Sequence, residues 1–124
     1  MSADQTLREA LAEVAAERRR QDEKWGEQNH PNGTGEEYEF HRDFARQQCE
    51  DRFANGTGSY LDILAEEVYE AFAESDPDRL RAELIQVAAV AVAWVEKIDR
   101  ESAAHTETPQ AESPFQLRAG RRTT

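Results

Sequence analysis

Apolar residues recur along this chain at three- and four-residue intervals, the spacing of one face of an α-helix. Leu7, Leu11, Val14 and Trp25 share a face with Arg18 over a segment from about Asp4 to Trp25. Gly26 offers a C-terminal cap, and the polar loop 27–35, with Pro31, Gly33 and Gly35, cannot continue the helix. A second helix is predicted from about Glu36 to Ala54. Tyr38, Phe40, Phe44, Ala45, Cys49 and Phe53 form its apolar side, and Asn55-Gly56-Thr57-Gly58 ends it. Ser59, with Asp62 three residues on, opens a third helix whose stripe is Leu61, Leu64, Val68 and Phe72. Asp76 as N-cap and Pro77 at the first helical position open a fourth, running to about Arg100.

The middle of the fourth helix is apolar almost all round, from Leu84 and Ile85 through Val87, Val90, Val92, Trp94, Val95 and Ile98. A helix of that kind is covered on several sides. No period-two alternation marks a strand. The expected fold class is all-α: a bundle of about four helices, assembled as a homodimer or homotetramer. Residues 1–101 read as one all-α domain. Residues 102–124, with Pro109, Pro114, several threonines and the basic end Arg118, Arg121 and Arg122, read as a disordered tail.

Charge narrows the partners. With 26 acidic against 15 basic residues in 124, the net charge is −11. Such a chain repels bare nucleic acid and anionic membrane, so neither a nucleic acid polymer nor a membrane is an expected partner. Val87–Val95 is the longest apolar run, well short of the roughly 20 residues that span a bilayer. The single cysteine, Cys49, excludes an intrachain disulfide framework and a cysteine-rich zinc site. Met1-Ser2-Ala3-Asp4 lacks the basic and apolar regions of a signal peptide. A cytoplasmic protein is expected.

The chemistry-bearing stretch lies in the third and fourth helices. Glu67 and Glu70 are three apart on one, Glu83 and Gln86 three apart on the other. The tight turn Ser75-Asp76-Pro77 folds the helices back antiparallel. Reflection about that turn sets Glu67 level with Gln86 and Glu70 level with Glu83, each about 10–14 Å from the turn. Carboxylates brought together in this way raise one another's pKa unless a cation neutralises them, and hard oxygen ligands suit Mg²⁺ or Mn²⁺. A solvated acidic face is the alternative reading of the same spacing. Glu96 and Asp99 are not the partners of Glu67 and Glu70: they begin roughly 20 Å further along the axis and about 220° around it from Glu83.

Glu66-Glu67-Val68-Tyr69-Glu70, followed after Ala71–Ala82 by Glu83-Leu84-Ile85-Gln86, resembles the paired-acid signature E-x-x-E … E-x-x-D of the MazG-like all-α nucleoside triphosphate pyrophosphohydrolases. The resemblance spans roughly residues 18–100. It implies a helical bundle, dimeric or higher, with Mg²⁺ bound by Glu67, Glu70, Glu83 and Gln86. It also implies hydrolysis of a nucleoside triphosphate to the monophosphate and pyrophosphate, with Glu66, Glu67 and Glu70 as catalytic acids. Glu66 would polarise the attacking water or hold a second ion. Gln86 stands where the family has Asp; it offers a carbonyl oxygen, but no charge and no base. A non-catalytic nucleotide-binding or protein-interaction module with a degenerate metal site is therefore the second expectation.

The segment Lys24-Trp25-Gly26-Glu27-Gln28-Asn29-His30 is similar to the substrate-facing stretch of several members of that family. Trp25 could stack on a base, Lys24 meet a phosphate as a point charge, and His30 and Asn29 hydrogen-bond a base or sugar. Alternatively Trp25 anchors the core at the helix end while Lys24 and His30 are solvated. Arg42, Arg79 and Arg81 are further phosphate candidates, or pair with neighbouring acids. Tyr69 and Cys49 read as packing residues, and Trp94 as core or interface. His41 and His105 have no evident partner.

Overall fold

A computed structural model describes residues 2–106, the last two by their backbone only. It contains α1 (Ala3–Trp25), a single 3₁₀ turn (Glu36–Tyr38), α2 (Glu39–Ala54), α3 (Tyr60–Phe72) and α4 (Pro77–Thr106), with no strand among the described residues. The helix starts follow the capping signals. The Ser2 side chain accepts the Gln5 N–H at 3.1 Å, and Asp76 Oδ2 accepts the Arg79 N–H at 2.9 Å. At the end of α1, Gly26 adopts φ 70°, a left-handed conformation glycine tolerates without a Cβ clash, and donates its N–H to Asp22.

Ser59 and Asp62 form a reciprocal capping box. Ser59 Oγ accepts the Asp62 N–H at 3.4 Å, and Asp62 Oδ2 accepts the Ser59 N–H at 3.1 Å. Asp62 is only 3% exposed, and its other oxygen accepts from Arg52 Nη1 of α2 at 2.8 Å. Burial disfavours its charge, yet the hydrogen bonds from Ser59 and Arg52 together with the Arg52 charge outweigh this and hold its pKa below the ordinary value. One side chain therefore starts α3 and ties it to α2.

The helices pack in the order α2–α3–α4, with α1 laid on α4. The contacts are made by small residues: Ala10, Ala45, Cys49, Ala71 and Ala73 are buried, joined by Leu80 and Val92. Small side chains let helix axes approach closely, but they bury little apolar area. The loop before α2 is pinned to the α3–α4 turn, where Gly35 N–H donates to the Phe72 carbonyl (2.9 Å) and Thr34 Oγ1 to the Glu74 carbonyl (2.6 Å). These bonds satisfy carbonyls that the end of α3 leaves without helical partners.

Two boundaries differ from expectation. Glu36–Tyr38 is a 3₁₀ turn rather than the first turn of α2. At the other end, α4 continues to Thr106 through residues 102–106, which composition had assigned to the tail. Ala103 and Ala104 are good helix formers. The rest of the expected tail, 107–124, lies outside the described residues. Within the single chain, Leu84 and Ile85 of α4 are 49% and 56% exposed.

Ser59→Ala removes the cap of α3 and should cost about 1 kcal/mol, lowering Tm by about 4 °C in a chain of this size. Thermal unfolding followed by circular dichroism checks this; an unchanged Tm would show that the cap carries no stability.

Candidate metal centre

Glu67 and Glu70 come from α3, and Glu83 from the first half of α4. The α3–α4 turn places all three at one level, and each offers a carboxylate oxygen within 4.8 Å of the others. All three are half-buried. Removal from water raises the pKa of Glu67, and the charges of Glu70, Glu83 and Glu66 raise it further. Glu83 is raised for the same reasons: burial first, then the charge of Glu70, a hydrogen bond with it, and the charge of Glu74. One cation answers this density, as Arg46 of α2 reaches Glu70 at 3.4 Å.

Three convergent carboxylates form a hard-oxygen donor set that could hold a small divalent cation such as Mg²⁺ or Mn²⁺. The donor atoms are close enough to share one ion, and the raised proton affinity of Glu67 and Glu83 reflects first their removal from water and then the neighbouring negative charge, which a cation would neutralise.

Of the remaining candidates, Glu66 lies beside this group, its charge acting on Glu67. Gln86 is exposed, and its side chain makes no hydrogen bond among the described residues. Glu66 is half-buried and lies beside the Cys49 thiol of α2, where burial and then Glu66 push the thiol up to about 11. Cys49 is thus a buried thiol at neutral pH, as its packing assignment anticipates. Trp25 is 60% exposed at the end of α1, so it does not anchor the core. The Lys24 ammonium lies 4.9 Å from its ring centroid, and His30 is exposed. Glu66, Glu74 and Arg46 are charged neighbours of the carboxylates.

No known family, curated protein or solved structure matches the chain. What the site can do follows from its own chemistry.

Several other residues find partners. Arg42 pairs with Asp43 at 3.0 Å, as the ion-pair alternative holds. Trp94 is half-buried and stacks on Tyr60 at 5.7 Å. His41 stacks on Tyr69 at 5.6 Å with an interplanar angle of 19°. Arg46 was not singled out from the sequence. Its only signal there is a basic residue on the second helix, with nothing local to Glu70.

The pKa shifts set a sign for stability against pH. Glu67 and Glu83 have folded pKa values above 4.5, so the folded chain binds more protons than the unfolded one in the interval above that value. Stability from these two groups is therefore gained as pH falls through the raised pKa and lost as pH rises. With a chelator present, the slope of Tm against pH in the interval just above pH 4.5 should become less negative in Glu67→Gln/Glu83→Gln than in the parent. Added Mg²⁺ should raise Tm near neutrality and progressively less on acidification, as protons compete for the same oxygens. Differential scanning fluorimetry reads both; identical slopes for parent and variant would show that neither carboxyl is raised on folding.

Proposed function

We propose that the chain is a Mg²⁺-dependent nucleoside triphosphate pyrophosphohydrolase of the MazG-like kind, using Mn²⁺ as an alternative ion. The observation that carries this reading is the convergence of Glu67, Glu70 and Glu83 within 4.8 Å across two antiparallel helices. The E-x-x-E … E-x-x-Q pattern of the same residues supports it. In this reading those three carboxylates hold the ion. A divalent cation there supplies positive charge against a triphosphate that a chain of net charge −11 would otherwise repel.

The protein's own groups take the remaining roles. Glu66 polarises the attacking water. Trp25, exposed and accompanied by Lys24, stacks on the base while Lys24 meets a phosphate and His30 hydrogen-bonds the base or sugar. Arg46 balances Glu70 while no cation is bound. The product pair is a nucleoside monophosphate and pyrophosphate. The reading further places the protein in the cytoplasm as a homodimer or homotetramer, acting on free nucleotides and not on a nucleic acid polymer or a membrane. Among the described residues no helix is long and apolar enough to cross a membrane.

One observation favours a second reading. Gln86, where the resembled family has an acid, is exposed and adds no charge to the carboxylates. A module that binds a nucleotide or a protein without turnover fits a metal site weakened in this way.

A panel of nucleoside triphosphates incubated with Mg²⁺ or Mn²⁺, with pyrophosphate and orthophosphate read separately, tests the first reading. Pyrophosphate should appear, stop with chelator, and fall by about 100-fold or more in Glu70→Gln, the scale for loss of one preorganised charged group. Parental turnover by Glu70→Gln contradicts the assignment. Nucleotide binding without pyrophosphate release supports the second reading.

A further inference from the structure

The α2–α3–α4 layer has two unlike faces. Residues two apart on a helix lie about 200° apart around it. Glu67 stands two positions from both Ala65 and Tyr69, and Arg46 two from Phe44. The carboxylates and Arg46 therefore look to one side of the layer. On the other, Phe40, His41, Phe44, Ala65 and Tyr69 line a groove of about 380 Å³ between α2 and α3. Its rings are left open: Phe40 is 75% exposed and Phe44 61%, while Leu61, one turn before Ala65, is 60% exposed. Glu36, Glu37 and Glu39 lead into Phe40 at one end of the groove. All three are exposed, and among the described residues no cation pairs with them.

We infer that residues 114–122 of the same chain occupy this groove, with Phe115 and Leu117 against its rings and Arg118, Arg121 and Arg122 against Glu36, Glu37 and Glu39. The inference does not rest on the metal reading. Aromatic grooves take extended segments whose proline has already restricted the backbone, and Pro114 stands directly before Phe115. Phe115 and Leu117 are two apart, which puts them on one side of an extended chain. Direction and length agree with this occupant. Reflection about the α3–α4 turn sets Ala65 level with Ala88 and Tyr69 level with Leu84, so the groove runs from about 27 Å to about 33 Å back along α4 from Thr106. The ~10 Å between helix axes makes these paths about 29 and 34 Å. Phe115 is nine residues past Thr106 and Leu117 eleven, spans of up to about 32 and 40 Å. A near-extended segment therefore brings Phe115 to Ala65 and Leu117 to Tyr69. α2 and α3 are antiparallel, since Arg52 meets Asp62 and Arg46 meets Glu70. The arginines that follow Leu117 thus continue toward the start of α2, where the unpaired acids stand. Charge selects the same occupant. Between 113 and 124 the only charged side chains are Arg118, Arg121 and Arg122, in a chain of net charge −11. A second copy would bring its own excess of acids to the groove. The tether also holds the segment near its site at an effective concentration on the order of millimolar.

Oxidative footprinting of the full chain tests this, in the parent, in Phe115→Ser/Leu117→Ser and in Arg118→Glu/Arg121→Glu/Arg122→Glu. The substituted positions follow the last described residue of α4, so the helical signal should stay parental. Phe40 and Phe44 should become at least about threefold more reactive in both variants, as for a tethered ligand that no longer holds its site, while Trp25 on α1 keeps its parental rate. Protection in the parent should be the same at about 1 and 100 μM chain, because the contact forms within one molecule. Parental reactivity of Phe40 and Phe44 in either variant overturns the inference, as does a rise shared equally by Trp25. Protection that grows with concentration also overturns it, placing a second copy in the groove instead. The readout uses neither metal ion nor nucleotide, so its failure is distinct from failure of the metal reading.

Discussion

Like charges held together between two helices are the constraint around which this molecule is arranged. Glu67 and Glu70 on α3 and Glu83 on α4 bring oxygens within 4.8 Å of one another, half out of water. The arrangement costs free energy that bulk solvent would otherwise relieve, and the raised proton affinity of Glu67 and Glu83 records it. The fold keeps the carboxylates there through contacts elsewhere. Ala71, Ala73 and Leu80 pack around the turn, while Gly35 and Thr34 bond to the carbonyls of Phe72 and Glu74 at the same end. A site that could relax by splaying its helices would not hold charge in this way.

The layer built on that constraint separates two kinds of chemistry. Oxygen-rich groups and Arg46 share one side, and aromatic rings share the other. Between them lie small buried residues and one buried carboxylate, Asp62, whose partners on α2 and at the start of α3 fix the spacing of the two helices. The separation lets the carboxylate side and the aromatic side be perturbed independently.

Much of this was legible in the sequence where the signal is local. Ser59 with Asp62, Asp76-Pro77 and Gly26 mark helix ends through bonds to their near neighbours, and the structure shows those bonds. The meeting of Glu67, Glu70 and Glu83 followed from three-residue spacing and a tight turn, because both fix height along a hairpin. Rotation and distant contacts were not legible. Reflection about the turn gave Gln86 the height of Glu67, but not its orientation, and it is exposed. Arg46 reaches Glu70 from another helix, 24 residues away in sequence, so no spacing rule encodes it. The exposed aromatics of α2 read as ordinary core positions, because periodicity reports which residues share a face and not whether the chain itself covers it. Composition likewise ended α4 too early, where Ala103 and Ala104 carry the helix on.

The most direct test of the central claim is a Mn²⁺ titration of the isotope-labelled chain, following paramagnetic broadening residue by residue. The account predicts saturable binding of one ion per chain, with broadening centred on Glu67, Glu70 and Glu83 and spreading to Arg46, and its displacement by Mg²⁺. Broadening spread evenly over the acidic surface, or none at millimolar ion, would contradict it.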